Sequence, residues 1–230
     1  MWRRFLKRIQ PEGIPWPFSV LYNALSQGPV FRDHYALLVK DIAERRLDGG
    51  VLDIGTGPGW LLIKLHEHHP ADTLVGVDVC PAMVRVARRN VARMQLAHRI
   101  ELTIGAAESL PFADASFDTV VSSGSMHHWR DPDAGLREVY RVLHPGGCAL
   151  LYDFVTDAPN EILRGFAHRH GRLPVAALRL ALFEEPFRTT SEFASLGEAL
   201  PFKREPPRFV GALCCLTLRK PAHAVETRSC

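Results

Sequence analysis

The chain contains no apolar run of the roughly 18 residues that a membrane-spanning helix needs, so it offers no candidate span. It has no CxxC pair. Its five cysteines (Cys80, Cys148, Cys214, Cys215 and Cys230) are odd in number and irregularly spaced, which fits reduced thiols better than a disulfide framework. The N-terminus, Met1-Trp2-Arg3-Arg4-Phe5-Leu6-Lys7-Arg8-Ile9, is basic but lacks the apolar core and cleavage site of a secretory signal. A cytoplasmic protein is expected. There is no internal repeat and no low-complexity tract. Charge of one sign is scarce too: the formal net charge is +3. That value neither favours nor excludes nucleic acid, because a real binder clusters its basic residues on one face.

What is present is an ordinary globular composition, 47% hydrophobic and 23% charged over 230 residues. That is one domain of generous size. The chain is organised around Val51-Leu52-Asp53-Ile54-Gly55-Thr56-Gly57-Pro58-Gly59. An apolar run reads as a buried strand, and the glycines after it remove side chains where a ligand must approach the backbone. Leu74-Val75-Gly76-Val77-Asp78 repeats the pattern, again ending in a carboxylate. Ile100–Ile104, Phe117–Ser122 and Cys148–Asp153 supply three more strands, with helical spacing between them. Asp131-Pro132 is a helix start, with Asp as N-cap and Pro in the first turn. Alternation of this kind predicts βαβ units and a parallel sheet. Residues 202–209 and 212–218 read as a terminal antiparallel hairpin, and Ser191 as the N-cap of a late helix. The expected architecture is α/β, a doubly wound Rossmann-like seven-stranded sheet, mostly parallel with a C-terminal antiparallel hairpin, plus a helical cap. One domain, 1–230, divides into an N-terminal cap (1–30), a cofactor-binding core (31–155), a helical cap insertion (156–200), the hairpin (201–220) and a tail (221–230).

Asp53 and Asp78 stand at the carboxyl ends of two strands, where open α/β sheets bind ligands. A carboxylate after the second strand suits ribose hydroxyls, so a dinucleotide is one reading. Gly-Thr-Gly-Pro-Gly, however, lacks the last spacing of G-x-G-x-x-G. A carboxylate two residues before the first glycine is a poor neighbour for a pyrophosphate and a good one for an ammonium or sulfonium. His66, His68 and His69 crowd a helix end, where imidazoles suit the dipole and solvent; no metal site is expected. Cys214-Cys215 point to opposite faces of a strand, so they pack in the core rather than clamp one atom.

Five segments in register, Val51–Gly59, Val75–Met83, Gly105–Phe112, Phe117–Trp129 and Glu138–Gly147, give the chain its likeness to a known family. It resembles class I S-adenosylmethionine-dependent methyltransferases, especially the type 11 small-molecule branch, over about residues 33–155 and the final hairpin. The resemblance implies S-adenosyl-L-methionine as cofactor. It implies that Asp53 and the backbone of Gly55, Thr56 and Gly57 hold its methionine part. Asp78 would take the ribose, Val79 and Met83 would pack on adenine, and Glu108 would lie beside the adenine turn. Ser122 and Ser123 would border the transferred methyl. The family's Gly-Asp-Ala at the end of the third strand is Gly105-Ala106-Ala107 here. The adenine amino group therefore loses a side-chain partner, while the Ala107 N–H remains; the net cost is about 1 kcal/mol.

For catalysis, His127 and His128 follow the fourth strand and have the right intrinsic acidity for a base. Asp153 (or Tyr152 beside it) ends the fifth strand, and Tyr22 would fold over the cofactor from the cap. Apolar residues in 1–30 and 155–200 (Trp16, Phe18, Phe166, Leu178, Leu180, Leu182, Phe183) predict a small hydrophobic or aromatic methyl acceptor. No nucleic-acid partner is expected, because Asn/Asp-Pro-Pro-Tyr/Phe does not follow the fourth strand. The expected state is a monomer or homodimer without a membrane span. Its basic N-terminal helix allows weak surface association. The alternatives are a methyltransferase-fold protein without catalysis, acting as a binding or partner subunit, and a methyltransferase acting on a macromolecule.

Overall fold

The computed structural model describes residues 18–45, 49–68, 73–171, 173–176 and 186–222. Five parallel strands form its centre: β1 (Gly50–Ile54), β2 (Thr73–Asp78), β3 (Ile100–Ile104), β4 (Phe117–Ser123) and β5 (Leu143–Asp153). They lie in the spatial order 3-2-1-4-5. The apolar runs of β1, β2 and β4 and the second half of β5 are nearly continuous because both sheet faces are covered there, while the edge strand β3 alternates. The flanking helices are α1 (Phe18–Leu25), α2 (Pro29–Glu44), α3 (Trp60–His68), α4 (Pro81–Arg93), α5 (Pro132–Val142), α6 (Asn160–His170) and α7 (Thr190–Ser195). Strand order reverses between β1 and β4, and the crevice at their carboxyl ends is where such a sheet takes its ligand.

Alternate residues of each strand enter opposite apolar layers. Leu52, Val120, Ala149 and Leu151 meet Leu136 and Val139 of α5 on one side. Val51, Val121 and Leu150 meet Leu38 and Ile42 of α2 and Leu61, Leu62 and Leu65 of α3 on the other. Cys214 and Cys215 obey the same rule, one in each layer and both fully buried. Burial pushes their thiols up to about 11 and about 12, so they are packing groups.

The sheet has eight strands rather than seven. The expected strand over 202–209 is two short pieces, β6 (Lys203–Arg204) and β7 (Arg208–Val210). Both pair antiparallel with β8 (Leu213–Arg219), which in turn pairs with β5. Pro206 and Pro207 lie between the pieces and have no N–H to give the ladder. Helix α7 begins two residues before the expected Glu192, because Thr189 rather than Ser191 caps it. Thr189 and Glu192 form a reciprocal capping box. Asp131 caps α5 as its sequence predicts, accepting from the Ala134 N–H at 3.0 Å. The basic N-terminus, most of the apolar stretch over 173–183 and the tail after 222 lie outside the described residues.

Two polar clusters fasten elements that approach the crevice. Arg141 of α5 donates to Glu138, to Asp114 and to the carbonyls of Leu110 and Phe112, while Glu138 accepts from the Leu110 N–H at 2.8 Å. This explains Glu138 and Arg141 in the fifth sequence segment: they clamp the β3–β4 loop. On the other face, Asp41 of α2 accepts from both terminal nitrogens of Arg208, at 2.5 and 2.7 Å, and from the Tyr152 hydroxyl at 2.7 Å. The Asp41→Ala variant leaves a buried hydroxyl and a half-buried guanidinium without their acceptor. A loss of about 3 kcal/mol is expected, to be read as a lower urea midpoint with unchanged slope.

Candidate active site

The turn after β1 is built from conformations that only glycine adopts without strain. Gly55, Gly57 and Gly59 have φ of 74°, 52° and 80°. A Cβ on Gly55 would lie 2.3 Å from the Ser125 Oγ. That hydroxyl donates to the Ile54 carbonyl at 3.0 Å and shares a 2.8 Å bond with the Ser122 Oγ. The ends of β1 and β4 are thus locked together at the crevice. Ser122 is fully buried in this link, and Ser123, half-buried, follows it at the strand end.

Asp78 closes the turn from β2. One carboxylate oxygen accepts from the Gly57 N–H at 2.9 Å and the other from the Cys80 N–H at 2.8 Å. Burial still raises its pKa above the ordinary value. Asp53, at the end of β1, is 2% exposed. Burial pushes it up to about 7; the Thr56 hydroxyl opposes the shift and Asp78 adds to it. Among the described residues neither carboxylate has a Lys, Arg or His ion-pair partner. Their other neighbours are phenols. Burial, then Asp78, raises the Tyr22 pKa; burial, then Tyr22 and Asp53, raises that of Tyr35. Two buried carboxylates with no cation among them form a site that is short of positive charge. This donor set fits a ligand carrying a cationic centre and a diol.

Tyr22 lies over the glycine turn, its ring 4.0 Å from where a Gly57 Cβ would be. It packs on Cys80, Ala82 and Met83, so the structure brings Tyr22, Met83, Asp78 and Gly57 together. Val79 lies between Asp78 and Cys80. The link that seats Tyr22 is its neighbour Asn23. The Asn23 Oδ1 accepts from the Trp60 Nε1 at 3.0 Å and the Asn90 Nδ2 at 2.7 Å, and Asn90 also donates to the Pro58 carbonyl at 2.9 Å. No local pattern announces Asn23, because its partners are 37 and 67 residues away.

At the end of β3, Ala106 bridges to Ser109, and Ala107 is buried. Glu108 turns toward α5, its carboxylate accepting from the Asp131 N–H at 3.1 Å. A short 3-10 turn, Met126–His128, follows β4. There the His127 Nδ1 lies 2.9 Å from Asp153, and the His127 ring centroid is 3.9 Å from that of His128 and 4.3 Å from that of Phe187. Phe187 also meets Phe154 edge-on at 5.8 Å. Tyr152 points away from this group, to Asp41. Sequence reasoning singled out His127, His128 and Asp153 but missed Ser125, Tyr35 and Phe187. Of these, Tyr35 stood in a helical stripe that reads simply as core.

Residues 51–147, from the first strand to the turn in β5, match the model of the methyltransferase domain family. A ubiquinone/menaquinone biosynthesis C-methyltransferase of Geotalea daltonii is 34% identical over 110 residues, 47% of each chain. A rice 2-methyl-6-phytyl-1,4-hydroquinone methyltransferase is 37% identical over 101 residues, 44% of this chain and 29% of its own. The chain therefore spans about half the length of the first of these relatives and less than a third of the second. In fold, it superposes on an S-adenosylmethionine-dependent methyltransferase of Aquifex aeolicus with a TM-score of 0.67 and 19% identity, covering 87% of this chain and 97% of that one. The matched residues hold the whole glycine turn, the buried carboxylates Asp53 and Asp78 and the two histidines. Tyr22, Tyr35, Asp153 and Phe187 come to the site from outside the matched residues.

Proposed function

We propose that this protein transfers the methyl group of S-adenosylmethionine to a small hydrophobic aromatic molecule. The observation that carries the reading is Asp53: a buried carboxylate without a cation among the described residues, at the end of β1 and beside the glycine turn. A sulfonium ligand with an ammonium group supplies the missing charge. Asp53 and the N–H groups of the turn would hold its amino-acid part. Asp78 would accept from the ribose hydroxyls, with Tyr22, Val79 and Met83 covering the base. Ala106 gives the base no side-chain acceptor, which leaves the Ala107 N–H for it. The bound cofactor supplies a methyl carbon already activated by positive sulfur, so the protein's part is to position the acceptor and to exclude water.

The acceptor class rests on the aromatic group formed by His127, His128, Phe154 and Phe187 at the ends of β4 and β5. A flat ring stacks well on such walls, and the two relatives act, by their names, in quinone biosynthesis or on a hydroquinone. Among the described residues no helix is long and apolar enough to cross a membrane. Buried thiols at Cys148, Cys214 and Cys215 suit a reducing compartment, and we place the protein in the cytoplasm.

Calorimetry with S-adenosylmethionine tests the reading. Saturable one-to-one binding is expected, with transfer of labelled methyl to a hydroquinone. No heat of binding at millimolar ligand would overturn it and favour a methyltransferase-fold protein that serves as a partner subunit.

A further inference from the structure

The geometry points to His127 and Asp153 as a base dyad that removes the proton from an aromatic hydroxyl of the methyl acceptor. This rests on the methyltransferase reading above and adds to it the residue that prepares the nucleophile and the ionisable group the acceptor must carry.

The Asp153 carboxylate is 2% exposed at the end of β5. It accepts from the His127 N–H at 2.8 Å and the Phe154 N–H at 2.8 Å, and it faces the His127 Nδ1 at 2.9 and 3.1 Å. A carboxylate held by two backbone donors is an acceptor of fixed direction. Opposite it, Nδ1 carries the proton, and the lone pair is left on Nε2. Among the described residues Nε2 has no hydrogen-bond partner. The ring cannot swing freely, since it packs against both His128 and Phe187. Two residues earlier in the same turn, Ser125 is bonded to the Ile54 carbonyl, immediately before Gly55. One rigid frame therefore sets both the glycine turn and the imidazole. Among the described residues the titratable groups around the pair are His128 in its own turn and Cys214, in register with Asp153 on β8. Asp157 is the next carboxylate acting on Cys214.

In the step itself, Nε2 takes the hydroxyl proton and the O–H pair stays with the acceptor as phenolate. Electrons from its oxygen, or from a ring carbon it activates, form the new bond to the methyl carbon. The carbon–sulfur bond breaks with its pair left on sulfur. When a ring carbon attacks, the proton on that carbon passes to solvent water as the C–H pair returns to the ring and restores its aromaticity.

The test compares the full chain with His127→Gln and Asp153→Asn, using 2-decyl-1,4-hydroquinone as probe. Nitrogen-15 spectra of wild type should show the neutral imidazole of His127 protonated on Nδ1 and bare on Nε2, with the tautomer ratio altered in Asp153→Asn. S-adenosylmethionine affinity should stay within about threefold in both variants. The kcat of His127→Gln should fall about 100-fold or more at unchanged KM, and the deficit should shrink as pH rises toward ionisation of the hydroquinone. A His127→Gln enzyme with wild-type kcat, or an imidazole protonated on Nε2, overturns the dyad. Wild type that binds S-adenosylmethionine but never methylates the probe overturns the acceptor class. Wild type that fails to bind S-adenosylmethionine overturns the underlying reading instead.

Discussion

Asp53→Asn is expected to lose S-adenosylmethionine binding by at least about 100-fold and, at the same time, to make the ligand-free protein more stable. The two effects have one cause. Among the described residues the Asp53 carboxylate is buried without a cation, and its pKa is raised from 3.8 to about 7. A folded-state pKa above the unfolded one means that folding favours the protonated acid. That contribution is complete below pH 4 and is lost as pH rises through 7. Wild-type stability should therefore fall across this window by on the order of 3 kcal/mol. The asparagine variant keeps the shape, has no charge to bury and should not share the fall. Melting curves at pH 4, 5.5, 7 and 8 would show the two proteins diverging upward in pH. Ligand binding reverses the sign of the environment. A cationic ligand draws Asp53 back toward ionisation, so wild type should release a fraction of a proton on binding near pH 7. Calorimetry in buffers of different ionisation enthalpy measures that release. Equal stability of the two proteins at pH 8 would show that Asp53 is not the strained group described above.

Gly55→Val should damage both binding and folding. Its φ of 74° is a region that β-branched residues avoid, at about 1–2 kcal/mol. The new Cβ would also meet the Ser125 Oγ at 2.3 Å and its Cβ at 2.4 Å, so the turn after β4 has to move. That movement breaks the Ser125 bonds to the Ile54 carbonyl and Ser122, each worth about 1 kcal/mol. A total of about 3 kcal/mol lowers the melting temperature of a chain this long by roughly 6–12 °C. Ligand binding should become undetectable, and the His127 ring signals should shift although residue 55 is far from them in sequence. A second substitution, Ser125→Ala, removes the Oγ but not the Cβ contact and should restore only part of the lost stability. Full recovery there would place the whole cost in the hydroxyl.

The parts of the site that were legible in the sequence are those whose chemistry is local. A strand must end before a glycine turn, and a carboxylate at that end is visible in the string, so Asp53, Gly55, Gly57 and Asp78 could be named at once. The same holds for β1 to β5, where apolar runs alternate with helical spacing. Residues that act through a distant partner could not be found this way. Ser125 matters because Gly55 has no side chain, and Asn23 matters because Trp60 and Asn90 converge on it. Asp153 reads as one more strand-end acid until the Met126–His128 turn folds onto it. The alternation over 202–209 predicts one strand, and Pro206 and Pro207 divide it into Lys203–Arg204 and Arg208–Val210 because they have no N–H to give a ladder. The bond from the Asp131 N–H to the Glu108 carboxylate likewise joins residues 23 apart in the chain.

The position of β8 has a consequence for synthesis on the ribosome. It lies inside the sheet, between β5 and the pieces β6 and β7, and it covers Cys148 to Asp153 over six register pairs. Until residues 213–219 have emerged, a nascent chain that has already formed its parallel half carries a naked apolar edge along β5. Such an edge is a template for another chain. A stalled or truncated product ending before Leu213 should therefore associate with itself or with a chaperone, while chains released after Arg219 should not.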